Sequence, residues 1–339
     1  MRILVGMSGG ADSSFAALRL LDEGHEVEGA VLVMHDYTDT AAASLAAREI
    51  GIPLHVVDCR AAFEDFVVNY FVNEYKNGRT PNPCTVCNGA VKFKLLYEYA
   101  RDNGFDKIAT GHYARIGYEG GRYAISRAED LKKDQSYMLW RLSQDILSCL
   151  ALPLWGIDKE EVRRTLSERG ITSSKSPDSQ EICFIPDDDY TSFIKNRIGE
   201  LQKGSFLDKD GNVLGEHQGI IGYTVGQRKG LGVALGKRMF VTRIDPEGNA
   251  VILSDTPDYT VNVNVSDICF SGISEASAGD VIAGEVKLRY LARPIPAEAK
   301  FLGDGRAIIT LKMPEKSVTP GQSAVFYQGD RVAFGGFIE

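Results

Sequence analysis

Val5-Gly6-Met7-Ser8-Gly9-Gly10-Ala11-Asp12-Ser13-Ser14 is the stretch from which the architecture of this chain can be read. An apolar run, Ile3-Leu4-Val5, precedes it, and Phe15-Ala16-Ala17-Leu18-Arg19-Leu20-Leu21 follows with a helical apolar face that stops at Gly24. The order is strand, tight glycine turn, helix. Gly9 and Gly10 have no Cβ, so backbone N–H groups can approach an oxyanion closely. Ser8, Ser13 and Ser14 add hydroxyl donors, and the positive end of the helix dipole points at the same spot. This reads as a phosphate cradle. The Gly-Lys-Ser/Thr ending of a Walker loop is absent, so the cradle is of another kind.

Outward from that stretch, strands and helices alternate. Residues 27–34 form an apolar run of the buried parallel type, 41–50 a helix closed by Gly51, and 54–57 a third strand. A helical segment covers 61–76, and residues 78–89, with Pro81, Pro83, Cys84 and Cys87, read as irregular. Residues 91–103 are helical, and 107–109 form a strand running into Thr110-Gly111-His112. The alternation predicts an α/β, doubly wound parallel sheet, with a site built from loops 6–13, 34–39 and 110–113 at its carboxyl edge.

Two more helices are expected at 158–170 and 190–197. From residue 204 the chain turns to short strands and glycines, with Asp210-Gly211 marking a hairpin and a Gly/Arg/Lys-rich loop at 222–236. Strands are expected at 239–244 and 250–253, and strand-like runs at 286–290, 307–312 and 323–327 predict an all-β barrel. The expected domains are a catalytic unit over 1–197, a small central β-rich unit over 198–258, and a C-terminal β-barrel over 259–339.

A chain of 339 residues with 44% hydrophobic and 25% charged residues is a soluble globular type, with no apolar run of membrane-spanning length. The N-terminus enters a strand directly, so no signal peptide and a cytoplasmic location are expected. In that compartment six cysteines point to thiol chemistry before structural disulfides. A net charge of −8 argues against indiscriminate nucleic-acid binding but leaves room for a local basic surface.

Three cysteines stand apart. Cys84 and Cys87 make a C-x-x-C in Thr80-Pro81-Asn82-Pro83-Cys84-Thr85-Val86-Cys87-Asn88, and Cys183 lies in Asp178-Ser179-Gln180-Glu181-Ile182-Cys183-Phe184. A C-x-x-C can bind a metal or cluster, act as a nucleophile, or simply be two buried thiols. A zinc site would need four ligands, and no second C-x-x-C or His pair supplies them. Cys59, Cys149 and Cys269 sit in apolar contexts and read as small core residues. His112 by itself reads by default as a structural histidine, while its place at the carboxyl edge of the sheet favours a functional one, and Lys132-Lys133-Asp134-Gln135 reads as a solvated face. Arg228-Lys229 sits between glycines and suits phosphate contacts. Arg289, Tyr290 and Arg293 could stack on and clasp single-stranded RNA bases.

Taken together the motifs resemble the tRNA-specific 2-thiouridylases, the MnmA/TrmU family within the ATP-pyrophosphatase (PP-loop) superfamily. The resemblance spans the chain: residues 6–13, 78–88, Ala109-Thr110-Gly111-His112-Tyr113-Ala114-Arg115, Lys133-Asp134-Gln135-Ser136-Tyr137, Ile182-Cys183-Phe184-Ile185, residues 222–232, and Val318-Thr319-Pro320-Gly321-Gln322-Ser323. It implies ATP-dependent replacement of oxygen by sulfur at position 2 of the wobble uridine (position 34), with release of AMP and pyrophosphate. By the same resemblance Gly6, Met7, Ser8, Gly9, Gly10, Ala11, Asp12 and Ser13 hold ATP, and Met34 and Gly111 line the nucleotide site. Cys183 carries the incoming sulfur as a persulfide, Cys87 is the partner thiol, and Asp12 completes the catalytic set. Asn82, Pro83 and Cys84 touch the target base; His112, Lys133, Asp134, Gln135, Arg289, Tyr290 and Gln322 contact tRNA. The implied partners are tRNA and a sulfur-donor protein, a persulfide carrier or cysteine desulfurase, with no membrane.

That chemistry has a physical rationale. A uridine carbonyl oxygen leaves poorly until ATP converts it to an adenylate, and Mg²⁺ offsets charge on the departing pyrophosphate. A persulfide or thiolate then attacks, and a second thiol releases sulfide or closes a disulfide with the first. The wobble base must be splayed out to reach such a pocket. In one place the chain departs from the family pattern: many members carry Asp where Cys84 stands. Cys84, Cys87 and Cys183 could thus ligate three irons of a 4Fe-4S cluster, so persulfide relay and cluster route both stand at this point. The rival functions are another ATP-pyrophosphatase adenylating a small-molecule acceptor, which needs no paired cysteines, and a non-catalytic RNA binder, which leaves the phosphate loop idle.

Overall fold

The computed structural model describes residues 1–176, 182–185, 187–233 and 236–339. The segment Asp178-Ser179-Gln180-Glu181 before Cys183, and residues 234 and 235 of the glycine-rich loop, lie outside the described residues.

Strand β1 (Arg2–Gly6) runs into the glycine turn and helix α1 (Ala11–Asp22), as the sequence predicts. Strands β2 (Glu26–Val33), β3 (Leu54–Asp58) and β4 (Lys107–Ala109), with the short strand Leu150–Ala151, complete a five-stranded sheet ordered β3-β2-β1-β4 and then Leu150–Ala151. Its neighbours pair in parallel throughout. Side chains alternate across it: Ile3, Val5 and Ala109 pack under α1 and α2 (Thr40–Ile50), whereas Leu4, Ile108, Ala30 and Leu32 enter the core on the opposite face. A sheet buried on both faces needs such uninterrupted apolar strands. Their carboxyl ends meet at the glycine turn.

The segment 78–89, read as irregular, contains a helix instead, Pro83–Cys87, continuing through a π turn, Asn88–Lys92, into helix Phe93–Asp102. The prolines do not prevent it. Pro83 occupies the first turn, where its missing N–H has no intrahelical partner to lose, and the Asn82 side chain accepts from the Cys84 N–H as the cap.

The second region is a four-stranded sheet in which Gly204–Leu207 pairs with Val213–His217 across the Asp210-Gly211 turn, as expected. The third is a six-stranded ring closed by pairing of Tyr259–Cys269 with Arg331–Ile338, its interior filled by Phe301, Phe326 and Phe334. The sequence places the first of its strand-like runs at 286–290, but that strand is Val281–Lys287, so Arg289 and Tyr290 lie in the turn beyond it. A hairpin missed in the sequence, Arg115–Glu119 with Arg122–Ser126, adds to the outside of this ring through Arg331. Nearby, the buried Tyr137 hydroxyl donates to the Ser323 carbonyl (2.8 Å) and Trp140 Nε1–H to Ser323 Oγ (3.0 Å), locking the N-terminal region to the barrel. No helix among the described residues is long and apolar enough to cross a membrane.

Candidate active site

The turn between β1 and α1 is built to leave N–H groups open. Gly10 caps α1 without a side-chain hydrogen bond, and the first helical N–H groups have no intrahelical acceptor. Around them Ser13 Oγ donates to the Gly10 carbonyl (3.1 Å) and accepts from the Ser8 N–H (3.2 Å), while Ser14 Oγ also donates to the Gly10 carbonyl (3.0 Å). Gly9 has φ +79°, and a Cβ there would lie 2.6 Å from the Ala42 Cβ in the first turn of α2. Gly111, beyond β4, packs its Cα on the backbone of α1, where a Cβ would sit 2.5 Å from the Asp12 carbonyl carbon. These two glycines let the turn, the start of α2 and the segment after β4 approach one another closely.

Asp12 projects from the first turn of α1. The Lys159 ammonium donates to both of its oxygens, 2.7 Å each, and the Tyr113 hydroxyl donates to Oδ1 at 2.9 Å. Lys159 begins helix Lys159–Glu168, capped by Asp158, and nothing in the local sequence around it marked it for this place. His112 follows Gly111. Its Nδ1 pairs with the Thr110 hydroxyl (2.9 Å), its ring lies 5.3 Å from that of Phe93, and burial with the nearby Lys92 charge pushes it down to about 3, so it is neutral.

The cysteines lie on other segments. Cys87 Sγ lies 3.7 Å from Sδ of Met34, which directly follows β2. The residue expected to line the nucleotide site therefore touches the residue expected to be the partner thiol. Cys183 is raised to about 12 by burial and by the charges of Cys87 and Cys84, so the late segment lies within electrostatic reach of the C-x-x-C. Burial also pushes the Cys84 and Cys87 thiols up, and the Lys92 ammonium counteracts this at all three sulfurs. Cys84 and Cys183 are exposed as residues although protein crowds their sulfurs, and Cys87 is buried; all six cysteines are free thiols. On a regular α-helix Lys92 would stand about 140° from Cys87; the π turn between them carries the ammonium back toward the thiols. That is why its spacing gave no signal. Replacing Lys92 with Met should raise the thiol pKa values and cut sulfur transfer at pH 7 by about tenfold. The deficit should persist through pH 9 and shrink only as pH climbs into the raised thiol range above it, which a pH–rate profile reads directly; an unshifted profile contradicts this role for Lys92.

The residues expected to meet RNA lie on several separate segments. Asn82 caps the Pro83–Cys87 helix and its amide approaches the Met138 sulfur (3.6 Å). Gln135 exchanges two hydrogen bonds with the Tyr113 backbone, 2.8 and 2.9 Å, fixing loop 133–135 beside His112. Asp134 faces inward: its carboxylate accepts from Ala128 N–H, Ser136 N–H and Ser136 Oγ, which makes it the strut of that loop. Lys133 sits half-buried in the same turn. Gln322 donates to the Thr80 carbonyl (2.7 Å) and Thr80 N–H to the Pro320 carbonyl (2.9 Å), so the barrel holds the segment entering the C-x-x-C. Arg289 bonds the Ser317 carbonyl (2.7 Å) and the Thr319 hydroxyl, and Tyr290 lies near enough to feel the charges of Asp134 and Cys84.

Family models match the chain end to end: a tRNA methyl transferase HUP domain over residues 1–187, a tRNA methyl transferase PRC-barrel domain over 191–255, and an aminomethyltransferase β-barrel domain over 263–338. A relative from Acetivibrio thermocellus named tRNA-specific 2-thiouridylase MnmA is 43% identical, with 100% of this chain and 99% of the relative aligned. The chain belongs to the MnmA family. A second MnmA relative, from Carboxydothermus hydrogenoformans, is 41% identical across 100% of this chain and 97% of its own length. In this MnmA family member the C-x-x-C reaches the carboxyl end of β2 through the Cys87–Met34 contact.

Proposed function

We propose that the protein is a tRNA-uridine 2-sulfurtransferase that uses ATP to thiolate position 2 of the wobble uridine. The observation that supports this reading is the Cys87–Met34 contact at 3.7 Å, in which the expected partner thiol touches a residue expected to line the nucleotide site. A synthetase acting on a small molecule has no use for thiols there. ATP occupies the space ringed by residues 6–13 and Gly111, its phosphates on the open N–H groups of α1. Asp12 would be the protein carboxylate available to a Mg²⁺ ion at the cradle, which would supply charge neutralisation on pyrophosphate.

The chemical steps balance as follows. The uridine O2 attacks the α-phosphorus, an O–P bond forms, and pyrophosphate leaves. The terminal sulfur of a Cys183 persulfide then bonds to C2 while AMP departs with the original oxygen. The Cys87 thiolate attacks Cys183 Sγ; the Cys183–substrate S–S bond breaks, 2-thiouridine is released, and a Cys87–Cys183 disulfide remains. In the equivalent order, Cys87 first frees hydrosulfide, which attacks C2. Either way the two thiols supply the two electrons that reduce sulfane sulfur, and a cellular thiol reductant resets them. A donor protein of the persulfide-carrier or desulfurase class must load Cys183. Asn82, Pro83 and Cys84 flank the base, and His112, Lys133, Gln135, Arg289, Tyr290 and Gln322 form the rim for the anticodon loop.

No group of three His, Cys, Asp or Glu side chains among the described residues is arranged to hold a single metal ion, and the relay above needs none. The thiols themselves carry the chemistry. Protein purified without oxygen should be colourless and iron-free, and on addition of ATP, a persulfide donor and unmodified tRNA should release AMP and form 2-thiouridine. An activity that tracks iron content would sink the thiol route, and AMP release independent of tRNA would restore the small-molecule synthetase.

A further inference from the structure

The cradle has a charge problem. Residues 6–14 include neither Lys nor Arg, and the one ionisable side chain among them is the carboxylate of Asp12. Backbone N–H groups and a helix dipole of about half an elementary charge are a modest counterweight to a triphosphate. Lys159 reaches this point from 147 residues away in sequence and sits equidistant from both Asp12 oxygens. The pair lies at the rim, with the Asp12 side chain 34% exposed and that of Lys159 15%. Tyr113 holds the same carboxylate independently, so Asp12 keeps its orientation if the ammonium moves away.

We propose that Lys159 is the cation that receives the pyrophosphate portion of ATP, parked on Asp12 until nucleotide arrives. This inference rests on the reading of residues 6–13 as the ATP cradle. An incoming phosphate oxygen competes with the Asp12 carboxylate for the same ammonium. Exchange of one oxyanion for another leaves the lysine paired throughout, and its flexible four-carbon stem permits the short swing. Asp12, released from Lys159 but still held by Tyr113, is then available on the phosphate side. The lysine thereby stabilises negative charge as it collects on the leaving group. The competing role is a strut in which Asp12 and Lys159 merely tie helix Lys159–Glu168 to α1.

The two roles predict opposite signs. Binding of inorganic pyrophosphate, ATP and AMP to the full chain is measured by calorimetry with a chelator present, for the wild type, Lys159→Met, Lys159→Arg and Asp12→Asn. Lys159→Met should weaken pyrophosphate and ATP at least tenfold and AMP less than twofold, with Lys159→Arg recovering most of the loss. Asp12→Asn removes the competitor and a repelling charge, so it should tighten pyrophosphate severalfold. Should Lys159→Met fail to fold, Lys159→Gln, which keeps a polar side chain of similar length, gives the same contrast. A strut predicts that Lys159→Met and Asp12→Asn shift all three ligands in the same direction; that result, or unchanged pyrophosphate binding in Lys159→Met, overturns the proposal. If the wild type binds neither ATP nor pyrophosphate even with Mg²⁺ restored, the ATP reading itself fails and this inference with it.

Discussion

Replacing Cys183 with Ser should abolish formation of 2-thiouridine, by at least about a thousandfold, while leaving pyrophosphate release from ATP and tRNA nearly intact. A hydroxyl cannot accept a sulfane sulfur, so the second half of the reaction loses its carrier. The first half uses the glycine turn and α1, which Cys183 does not form. The expected pattern is a burst of pyrophosphate with no thionucleoside on mass analysis. Cys87→Ser should differ in kind. If C2 is attacked directly by the persulfide, tRNA should accumulate joined to Cys183 through a disulfide, visible as a shifted band that reductant removes. Cys84→Ser should cost less than about tenfold, because Cys84 shares the neighbourhood but has no step in the relay. Equal and complete loss in all three variants would contradict the relay.

Gly9→Ala should weaken ATP binding by at least about a hundredfold and thereby silence the enzyme. Two costs combine. The residue holds φ +79°, where an L side chain costs about 1–2 kcal/mol. The new methyl would also lie 2.6 Å from the Ala42 Cβ and 2.7 Å from the Ala43 nitrogen. That turn of α2 cannot easily retreat, since the Asp39 carboxylate accepts from the Ala42 N–H at 2.8 Å and sets the helix start. The loop must move instead, and its N–H groups lose their aim. Gly10→Ala is the control: its φ is −83° and its Cβ would meet only Ser8 Oγ, at 3.4 Å, so binding should fall by less than about tenfold. Nucleotide titration of the two variants checks both expectations, and wild-type affinity in Gly9→Ala would refute the cradle.

Much of this was legible because the decisive signals are local. The β1–turn–α1 unit, the all-parallel sheet and the Asp210-Gly211 hairpin follow from apolar runs and glycines that act on their immediate neighbours. The helix at Pro83–Cys87 was not legible, because two prolines read as breakers unless the Asn82 cap is seen to place Pro83 in the first turn. Lys159 and Lys92 carry no local mark either. One reaches Asp12 across 147 residues of chain, and the other depends on a π turn that no hydrophobic period announces. The inward turn of Asp134 belongs to the same class: a charge run reads as solvated until Ala128 and Ser136 are seen to supply its donors. Contacts between distant segments are set by tertiary packing, and a one-dimensional pattern records them only through residue types.

The central claim is that sulfur passes from Cys183 to a nucleobase activated beside the glycine turn, and a single-turnover experiment tests it most directly. Protein loaded with isotopically labelled persulfide, freed of donor, is mixed with ATP and unmodified tRNA, and the nucleosides are weighed. The account predicts one labelled sulfur in 2-thiouridine per loaded chain, together with one AMP, and no loading of Cys183→Ser. Label that stays on the protein while tRNA is thiolated from another source would contradict it.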